Sequence, residues 1–459
     1  MNKDLTVGSP GKVLVMFTIP QFISVIFQQL YNIADSVIAG KFAGETALAA
    51  VGASYPITMI FMAVAVGCQI GCSVAISKRF GSGEMTKVKT CISTAVIAGL
   101  ALSAAMTILG VLFSATMMKL VNTPENIFPE GNLYLKIYTG GFIFLFLYNV
   151  VTGIFNSLGD SKTPLYLLIS SSVGNIILDV VFVTVFRLGV AGVAWATFIA
   201  QGIACVCSLA ILAKRVKNIA NGEKSVPFSV PALKEILAVA IPSVLQQSFI
   251  SVGNMFIQYW VNGYGSSVIA GYSAAIKLNT CAVTVFTTLG NGVSSFTAQN
   301  MGANKTQRIK SGLKSGMIFA LITAAFFSII FLLFNNFFLS MFMKNDSSEL
   351  AYETGGMFLK IVAPFYFVIC VKLICDGILR GSGYMNFFMA ATFTDLILRV
   401  VLAFILSKPL AQNGIWTAWP ISWFIAAIMS ICFCKICLNR ICRTDKHCGI
   451  PTSGITRLS

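Results

Sequence analysis

The chain alternates between long apolar stretches and short polar connections. About twelve of the stretches reach the roughly 20 apolar residues that a membrane-spanning helix needs. They are uniformly apolar rather than alternating, so the pattern predicts helices and not the strands of a membrane barrel. The predicted spans cover residues 13–39, 55–76, 91–117, 133–155, 164–186, 190–212, 236–261, 274–298, 316–339, 357–379, 387–406 and 415–437.

Composition supports an all-α integral membrane protein. The 459 residues are 56% hydrophobic and 10% charged, with a mean hydropathy of +0.83, whereas an average soluble domain has about 25% charged residues. A soluble chain this apolar would lack the polar groups to cover its surface. We predict no cleavable signal peptide, because residues 1–10 are polar and the first span is too long for a signal core.

The formal net charge of +16 is explained by membrane topology. When the N-terminus is taken as inside, nearly all of the excess Lys and Arg falls in the inside loops, as the positive-inside rule requires. This pattern predicts an even number of spans and a multi-pass protein of the plasma membrane, with both termini in the cytoplasm. Because the charge follows topology, we expect the lipid bilayer and not nucleic acid as a partner.

The two halves of the chain repeat one plan. At a nearly constant offset, Pro20 matches Pro242, Gly81 matches Gly302 and Gly153 matches Gly377. Each half holds an even number of spans, so the repeats are parallel, as in transporters that rock two lobes around a central site. The predicted domains are a six-helix lobe at 1–213, a cytoplasmic linker at 214–234, a second six-helix lobe at 235–438 and a basic tail at 439–459.

Two acidic residues in the first half lie inside predicted spans, where a charge is costly and commonly marks an ion pathway. Asp35 and Asp179 have no basic residue within one turn of their own helix. They can share protons, because burial and like charge raise the pKa of a carboxyl group, or bind Na⁺ through oxygen ligands. Either state predicts an ion-coupling site; the alternative is a pair of hydrogen-bonded structural acids.

Polar residues accompany these acids in the neighbouring spans. The predicted coupling site consists of Asp35, Asp179, Asn175 and Thr197, with a supporting network of Gln28, Tyr31, Asn32 and Tyr134. Pro20 lies about four turns before Asp35 and permits a bend, since proline removes a helix hydrogen bond. That bend either follows the state of Asp35 or is static.

The second half holds other charges in its spans: Lys277, Lys372, Asp376, Asp395 and Arg399. Lys372 with Asp376, and Asp395 with Arg399, are spaced four residues apart, so each couple shares a helix face and can neutralise itself. These residues are therefore candidates for either a structural or a functional polar cluster.

Two motifs resemble those of the multidrug and toxic compound extrusion (MATE) family. Residues 31–40, continued by 49–52, are similar to its first-helix signature. Residues 153–164 and their partner 377–383 resemble its loops after helices 4 and 10. The similarity covers essentially the whole chain, and the sequence looks most like the MepA-like bacterial branch.

The resemblance implies a V-shaped pair of six-helix bundles, working as a monomer without a cofactor. It implies export of organic cations, drugs or other amphipathic small molecules in exchange for H⁺ or Na⁺, with coupling at Asp35, Asn175, Asp179 and Thr197 and bending at Pro20. A flippase for lipid-linked oligosaccharides is the alternative function, and it would favour a basic cavity. We expect no enzyme, because the spans hold no histidine and the chain has no H-E-x-x-H motif. The chain also has no nucleotide-binding motif, so the energy for transport should come from an ion gradient.

Overall fold

The computed structural model describes residues 4–38, 45–219, 225–343 and 348–447. The side chains of residues 33–37, 45–48 and 444–447 lie outside this description. All regular secondary structure in the described ranges is helical. This agrees with the all-α class that the apolar pattern predicts.

Seven α-helices form the first half of the described chain: α1 (Pro10–Ile38), α2 (Glu45–Gly81), α3 (Met85–Leu120), α4 (Phe128–Gly140), α5 (Phe142–Ser157), α6 (Lys162–Val180) and α7 (Gly189–Lys217). The second half contains α8 (Val230–Asn262), α9 (Ser266–Gly302), α10 (Thr306–Leu333), α11 (Asn335–Ser340), α12 (Glu349–Val362), α13 (Tyr366–Gly381), α14 (Met385–Leu410) and α15 (Gln412–His447). A π-helical turn, Val181–Val185, follows α6, and a 3₁₀ turn, Ala363–Phe365, joins α12 to α13.

The described residues contain 11 single spans, and 12 when the bent pair α4–α5 is counted as one. The predicted number of about twelve is therefore confirmed. The continuous helix predicted at 133–155 is wrong in one respect, since the span bends by 44° between α4 and α5. Adjacent glycines, Gly140 and Gly141, lie at the break, and such pairs are a common cause of sharp bends.

Equivalent glycines of the two halves make equivalent helix contacts. A Cβ atom at Gly153 of α5 would overlap the backbone carbonyl of Gln69 in α2. In the second half, a Cβ atom at Gly377 of α13 would overlap the carbonyl of Gly290 in α9. Small residues allow this close approach of backbones within a membrane bundle. The repeat seen in the sequence is thus a repeat of packing.

The halves contact each other at the end of the molecule where α2 leads into α3 and α9 leads into α10. We call this the basic end, because Lys78, Arg79, Lys305 and Arg308 lie there. A Cβ atom at Gly81 would overlap the carbonyl of Gln299, and one at Gly302 would overlap the carbonyl of Lys78. These two contacts are the same contact seen from each repeat, so α2 and α9 cross symmetrically.

Helix α8 crosses from the second half to pack on α2. The backbone and side chain of Val244 lie where a Cβ atom at Gly67 would be, and Ala240 lies against Gly71 in the same way. Arg79 of α2 also donates to both carboxylate oxygens of Glu235 in α8, at 3.1 and 2.7 Å. The basic end is therefore closed by direct backbone packing between the two halves.

We expect Gly81→Ala to destabilise the protein by about 1–3 kcal/mol, because the added methyl group has no space against the Gln299 carbonyl. Gly52→Ala in the same helix is the matched control, since a Cβ atom at Gly52 has nothing within 4 Å and alanine favours the helix. Thermal unfolding of the purified variants measures the difference. Equal unfolding temperatures would contradict the assigned contact.

Asp160 organises the connection between α5 and α6. Its carboxylate accepts hydrogen bonds from the backbone amides of Lys162 and Thr163, both at 3.1 Å, and from the Thr163 hydroxyl at 2.6 Å. It also pairs with the guanidinium group of Arg215 at the end of α7. Burial raises the pKa of Asp160, but the hydrogen bonds from Thr163 and the charge of Arg215 outweigh it and lower the pKa below its usual value.

Because the pKa of Asp160 is lowered on folding, its carboxylate stabilises the protein above the unfolded pKa, about 3.9, and this contribution is lost as the pH falls through the folded value. We expect Asp160→Asn to lower stability at pH 7 by about 1 kcal/mol. The difference in the free energy of unfolding between the variant and the unmodified protein should become smaller as the pH approaches 3. A stability difference that stays constant from pH 7 to pH 3 would show that the ionised carboxylate of Asp160 is not the source of the stabilisation.

Candidate functional site

A small cavity lies between α1, α6 and α7. Its volume is about 30 Å³, enough for one or two water molecules. Its polar lining comes from three helices: Gln28, Tyr31, Ser171, Ser172, Asn175 and Gln201. The cavity thus unites three residues that the sequence analysis selected separately, Gln28 and Tyr31 from α1 and Asn175 from α6.

Asn175 is the most constrained polar group of this cavity. Its side chain is 2% exposed, and neither its amide oxygen nor its amide nitrogen has a hydrogen-bond partner among the described residues. A buried amide without a partner costs about 1–3 kcal/mol. The cavity beside it offers space for a molecule or ion that would satisfy this amide.

The predicted coupling residues lie one helical turn from the cavity wall. Asp179 follows Asn175 by four residues on α6 and is fully buried. Thr197 precedes the cavity residue Gln201 by four residues on α7. Since α7 runs antiparallel to α6, both steps lead toward the connection between them, and residues four apart share a helix face.

Asp35 lies on α1 at about the same depth as Asp179 and Thr197. It follows the cavity residue Tyr31 by four residues, and α1 runs parallel to α6 by the order of spans. Its side chain is among those outside the described residues, so its prediction rests on position alone. Asp179 is followed directly by the π-helical turn, a local widening that is frequent at functional sites.

The other predicted members of the first-half network lie close by. Tyr134 of α4 is 8% exposed and packs with Val190 and Ala194 of α7, one turn from Thr197. The Thr197 hydroxyl donates to the Val193 carbonyl at 3.1 Å, which leaves its oxygen able to accept. Asn32 is exposed on α1 and does not line the cavity.

Pro20 is buried within α1, which continues through it as one helix. The Ser24 hydroxyl donates to the Pro20 carbonyl at 2.9 Å. The predicted role of Pro20 as a bending position stays a prediction.

The second-half charges form one connected cluster on α13 and α14. The Lys372 amine lies 3.2 Å from Asp376 and 3.4 Å from Asp395, and Arg399 donates to Asp395 at 3.0 Å. All four residues are at most 8% exposed. The sequence predicted two separate couples; Lys372 instead joins them, because it bridges the two carboxylates.

Side chains from other helices complete this cluster. The Ser430 hydroxyl of α15 donates to the Asp376 carboxylate at 2.7 Å. The Arg399 guanidinium group lies 4.3 Å from the ring centroid of Trp419, a cation–π distance. Two cations and two anions therefore balance in a buried, hydrogen-bonded arrangement.

Two basic residues of the second half do not belong to the cluster around Lys372. Lys277 is exposed on α9 and lies over the Phe342 ring at 5.6 Å. Arg380 is buried at the end of α13 and donates to the Asn291 side chain at 2.9 Å.

Sequence reasoning missed Ser171, Ser172 and Gln201 of the cavity. Ser171 and Ser172 precede Asn175 by four and three residues, so polar residues on one face of a predicted span were an available signal. It also missed Ser430, since a single serine in an apolar span shows no pattern that indicates its partner.

Comparisons with known proteins agree with this architecture. The MatE family model matches residues 20–181 and 242–405, one range in each half. The probable multidrug resistance protein YpnP of Bacillus subtilis is 29% identical over 419 residues, which cover 90% of this chain and 92% of that protein. The multidrug export protein MepA of Staphylococcus saprophyticus is 22% identical over 425 residues, which cover 93% of this chain and 92% of that protein.

A solved structure also shares the fold. It is the outward-facing conformation of a multidrug resistance MATE family transporter of the MOP superfamily, with a TM-score of 0.90 and 22% identity. The match covers 96% of this chain and 99% of that one. The predicted pair of parallel six-helix bundles is therefore confirmed.

We expect Lys372→Met to destabilise the protein by about 3–5 kcal/mol, because it leaves Asp376 as a buried charge without its cation. Asp395 keeps Arg399, so the added substitution Asp376→Asn should restore most of the loss. Thermal unfolding and the yield of inserted protein measure both variants. A double variant as unstable as Lys372→Met alone would contradict the pairing.

Proposed function

The chain belongs to the MatE family of membrane transporters, and we propose that it is a secondary active antiporter. It exports cationic, amphipathic small molecules in exchange for H⁺ or Na⁺. The coupling site consists of Asp35, Asn175, Asp179 and Thr197, supported by Gln28, Tyr31, Asn32 and Tyr134. It needs no organic cofactor and works as a monomer in the plasma membrane.

One observation carries this proposal. The Asn175 amide is buried, lacks a partner among the described residues and borders a polar cavity, one turn from the fully buried Asp179. Amide, hydroxyl and carboxylate oxygens are ligands of hard cations, and a buried carboxyl group takes up a proton readily. The same groups therefore serve either H⁺ or Na⁺.

Coupling follows from the position of these groups on three helices. When Asp35 and Asp179 are ionised, the charge between α1, α6 and α7 favours cation entry; neutralisation lets the helices approach. Pro20 gives α1 a point at which to bend. A ligand shifts the equilibrium between two arrangements of the lobes only if it binds one arrangement more tightly than the other. In this proposal the coupling ion is that ligand.

The relatives support the substrate class and the direction. YpnP and MepA carry names of drug-resistance and drug-export proteins. The basic end, rich in Lys and Arg, is proposed to face the cytoplasm together with both termini, in accord with the positive-inside rule. The lobes that rock are proposed at 1–213 and 235–438, joined by the linker 214–234 and followed by the tail 439–459.

A flippase for lipid-linked oligosaccharides is less well supported. Such a function requires free basic groups in the central cavity to hold a pyrophosphate. The buried cations Lys372 and Arg399 are already paired with Asp376 and Asp395, and Arg380 is engaged by Asn291. The cluster of Lys372, Asp376, Asp395 and Arg399 is better explained as a structural one.

Transport of ethidium into inverted vesicles tests the proposal, because export from the cytoplasmic face appears there as uptake. A pH gradient and a Na⁺ gradient are imposed separately, and export should follow one of them. We expect Asp35→Asn and Asp179→Asn each to reduce this export to background while the protein remains inserted, because neither variant can exchange its bound ion.

Glu84→Gln is the matched control, since it makes the same change from carboxylate to amide at an exposed residue outside the spans. It should transport normally. Unchanged export by inserted Asp179→Asn would refute the coupling assignment. Export driven by neither gradient would refute antiport of this substrate class.

A further inference from the structure

The residues that precede α1 are bound by the opposite half of the molecule. Residues 4–9, here called the N-terminal segment, pass over the start of α10 and the end of α9. Leu5 is completely buried among core residues of the second half. Its amide donates to the Gln299 side chain at 2.9 Å, and its carbonyl accepts from the Asn300 side chain at 3.4 Å.

Two cations hold the rest of this segment. Lys305 donates to the carbonyl and the hydroxyl of Thr6, at 2.9 and 3.2 Å. Arg308 donates to the carbonyls of Gly8 and Leu5, at 2.6 and 3.2 Å. Hydrogen bonds from charged donors are stronger than those between neutral groups, so the segment is fixed at several successive residues.

Gln299 links this segment to the crossing of α2 and α9. Its side chain is fully buried and also donates to the Ser157 carbonyl at the end of α5, at 2.7 Å. Its own carbonyl lies against Gly81. One residue of the second half therefore contacts the N-terminal segment, α5 and α2 together, at the point where the basic end is closed.

The equivalent segment of the other repeat is bound differently. Before α8, the Ser229 amide donates to the Thr94 hydroxyl at 3.0 Å, and the Ser93 hydroxyl donates to the Val226 carbonyl at 3.5 Å. The positions equivalent to Lys305 and Arg308 are Glu84 and Lys87, which pair with each other at 2.6 Å. In the described residues, the cationic attachment thus occurs in one repeat and breaks the symmetry of the closed end.

We propose that the N-terminal segment is a latch: its attachment to Gln299, Lys305 and Arg308 holds the basic end closed, and it must detach before α2 and α9 can separate there. The proposal rests on the rocking of two lobes proposed above, but it does not depend on which residues couple the ion. Detachment would then govern how often the transporter opens at its basic end.

Hydrogen exchange of the purified, full-length protein, without substrate or ion gradient, tests the latch. The variant Lys305→Gln/Arg308→Gln removes both cationic donors. We expect amide exchange to rise by about tenfold in residues 5–9, as the loss of charged hydrogen bonds implies. Exchange should rise as well in residues 72–82 and 293–302, which form the crossing.

Lys310→Gln/Lys314→Gln is the matched control. It removes the same charge from exposed positions of α10, so it should leave exchange at the crossing unchanged. Leu5→Ala is a second test variant if the first does not insert, because it weakens the attachment from the side of the segment. It should raise exchange in the same two regions.

Faster exchange confined to residues 5–9 would overturn the proposal, because the segment would then be attached without affecting the crossing. An equal rise in the control variant, or no rise in either, would overturn it too. No ion or substrate enters the measurement, so an incorrect coupling site would appear in the efflux assay and leave this result unchanged.

Discussion

Inside a bilayer, a polar group has to find its partner within the protein, because no water is available to bind it. Helices meet this requirement for the backbone, but each buried polar side chain must be treated separately. In the second half, Lys372 bridges Asp376 and Asp395, and Arg399 balances the remaining charge. In the first half, the Asn175 amide has no partner among the described residues and borders a cavity.

The two halves therefore share one pattern of helix packing but differ in the polar residues that it carries. This packing depends on glycines at equivalent positions, which bring the backbone of α5 into contact with α2 and the backbone of α13 into contact with α9. Because these contacts are alike, the helices of both halves have the same arrangement. The polar residues built onto them differ: one half neutralises its charges internally, and the other leaves the Asn175 amide beside a small polar cavity.

Closure at the basic end connects these halves mechanically. Gly81 and Gly302 leave no space for a side chain between α2 and α9, so separation there must move whole helices and not single side chains. The rocking motion proposed above is compatible with such rigid contacts, since packed interfaces change between discrete arrangements. The segment that precedes α1 is bound at this same crossing through Gln299, and in the proposed latch its detachment precedes opening.

The sequence by itself determined the number and type of spans, because a helix that crosses a bilayer needs a long apolar run that no other structure requires. It also determined the repeat, and the local relations that a helix imposes four residues apart, such as Asn175 with Asp179 and Lys372 with Asp376. Only the tertiary structure decided which helices meet. Three features join residues that are distant in sequence: the bridge from Lys372 to Asp395, the cavity between α1, α6 and α7, and the binding of Leu5 by Gln299. Apolar periodicity carries no record of such contacts, because lipid and a neighbouring helix are equally apolar to the side chains that face them.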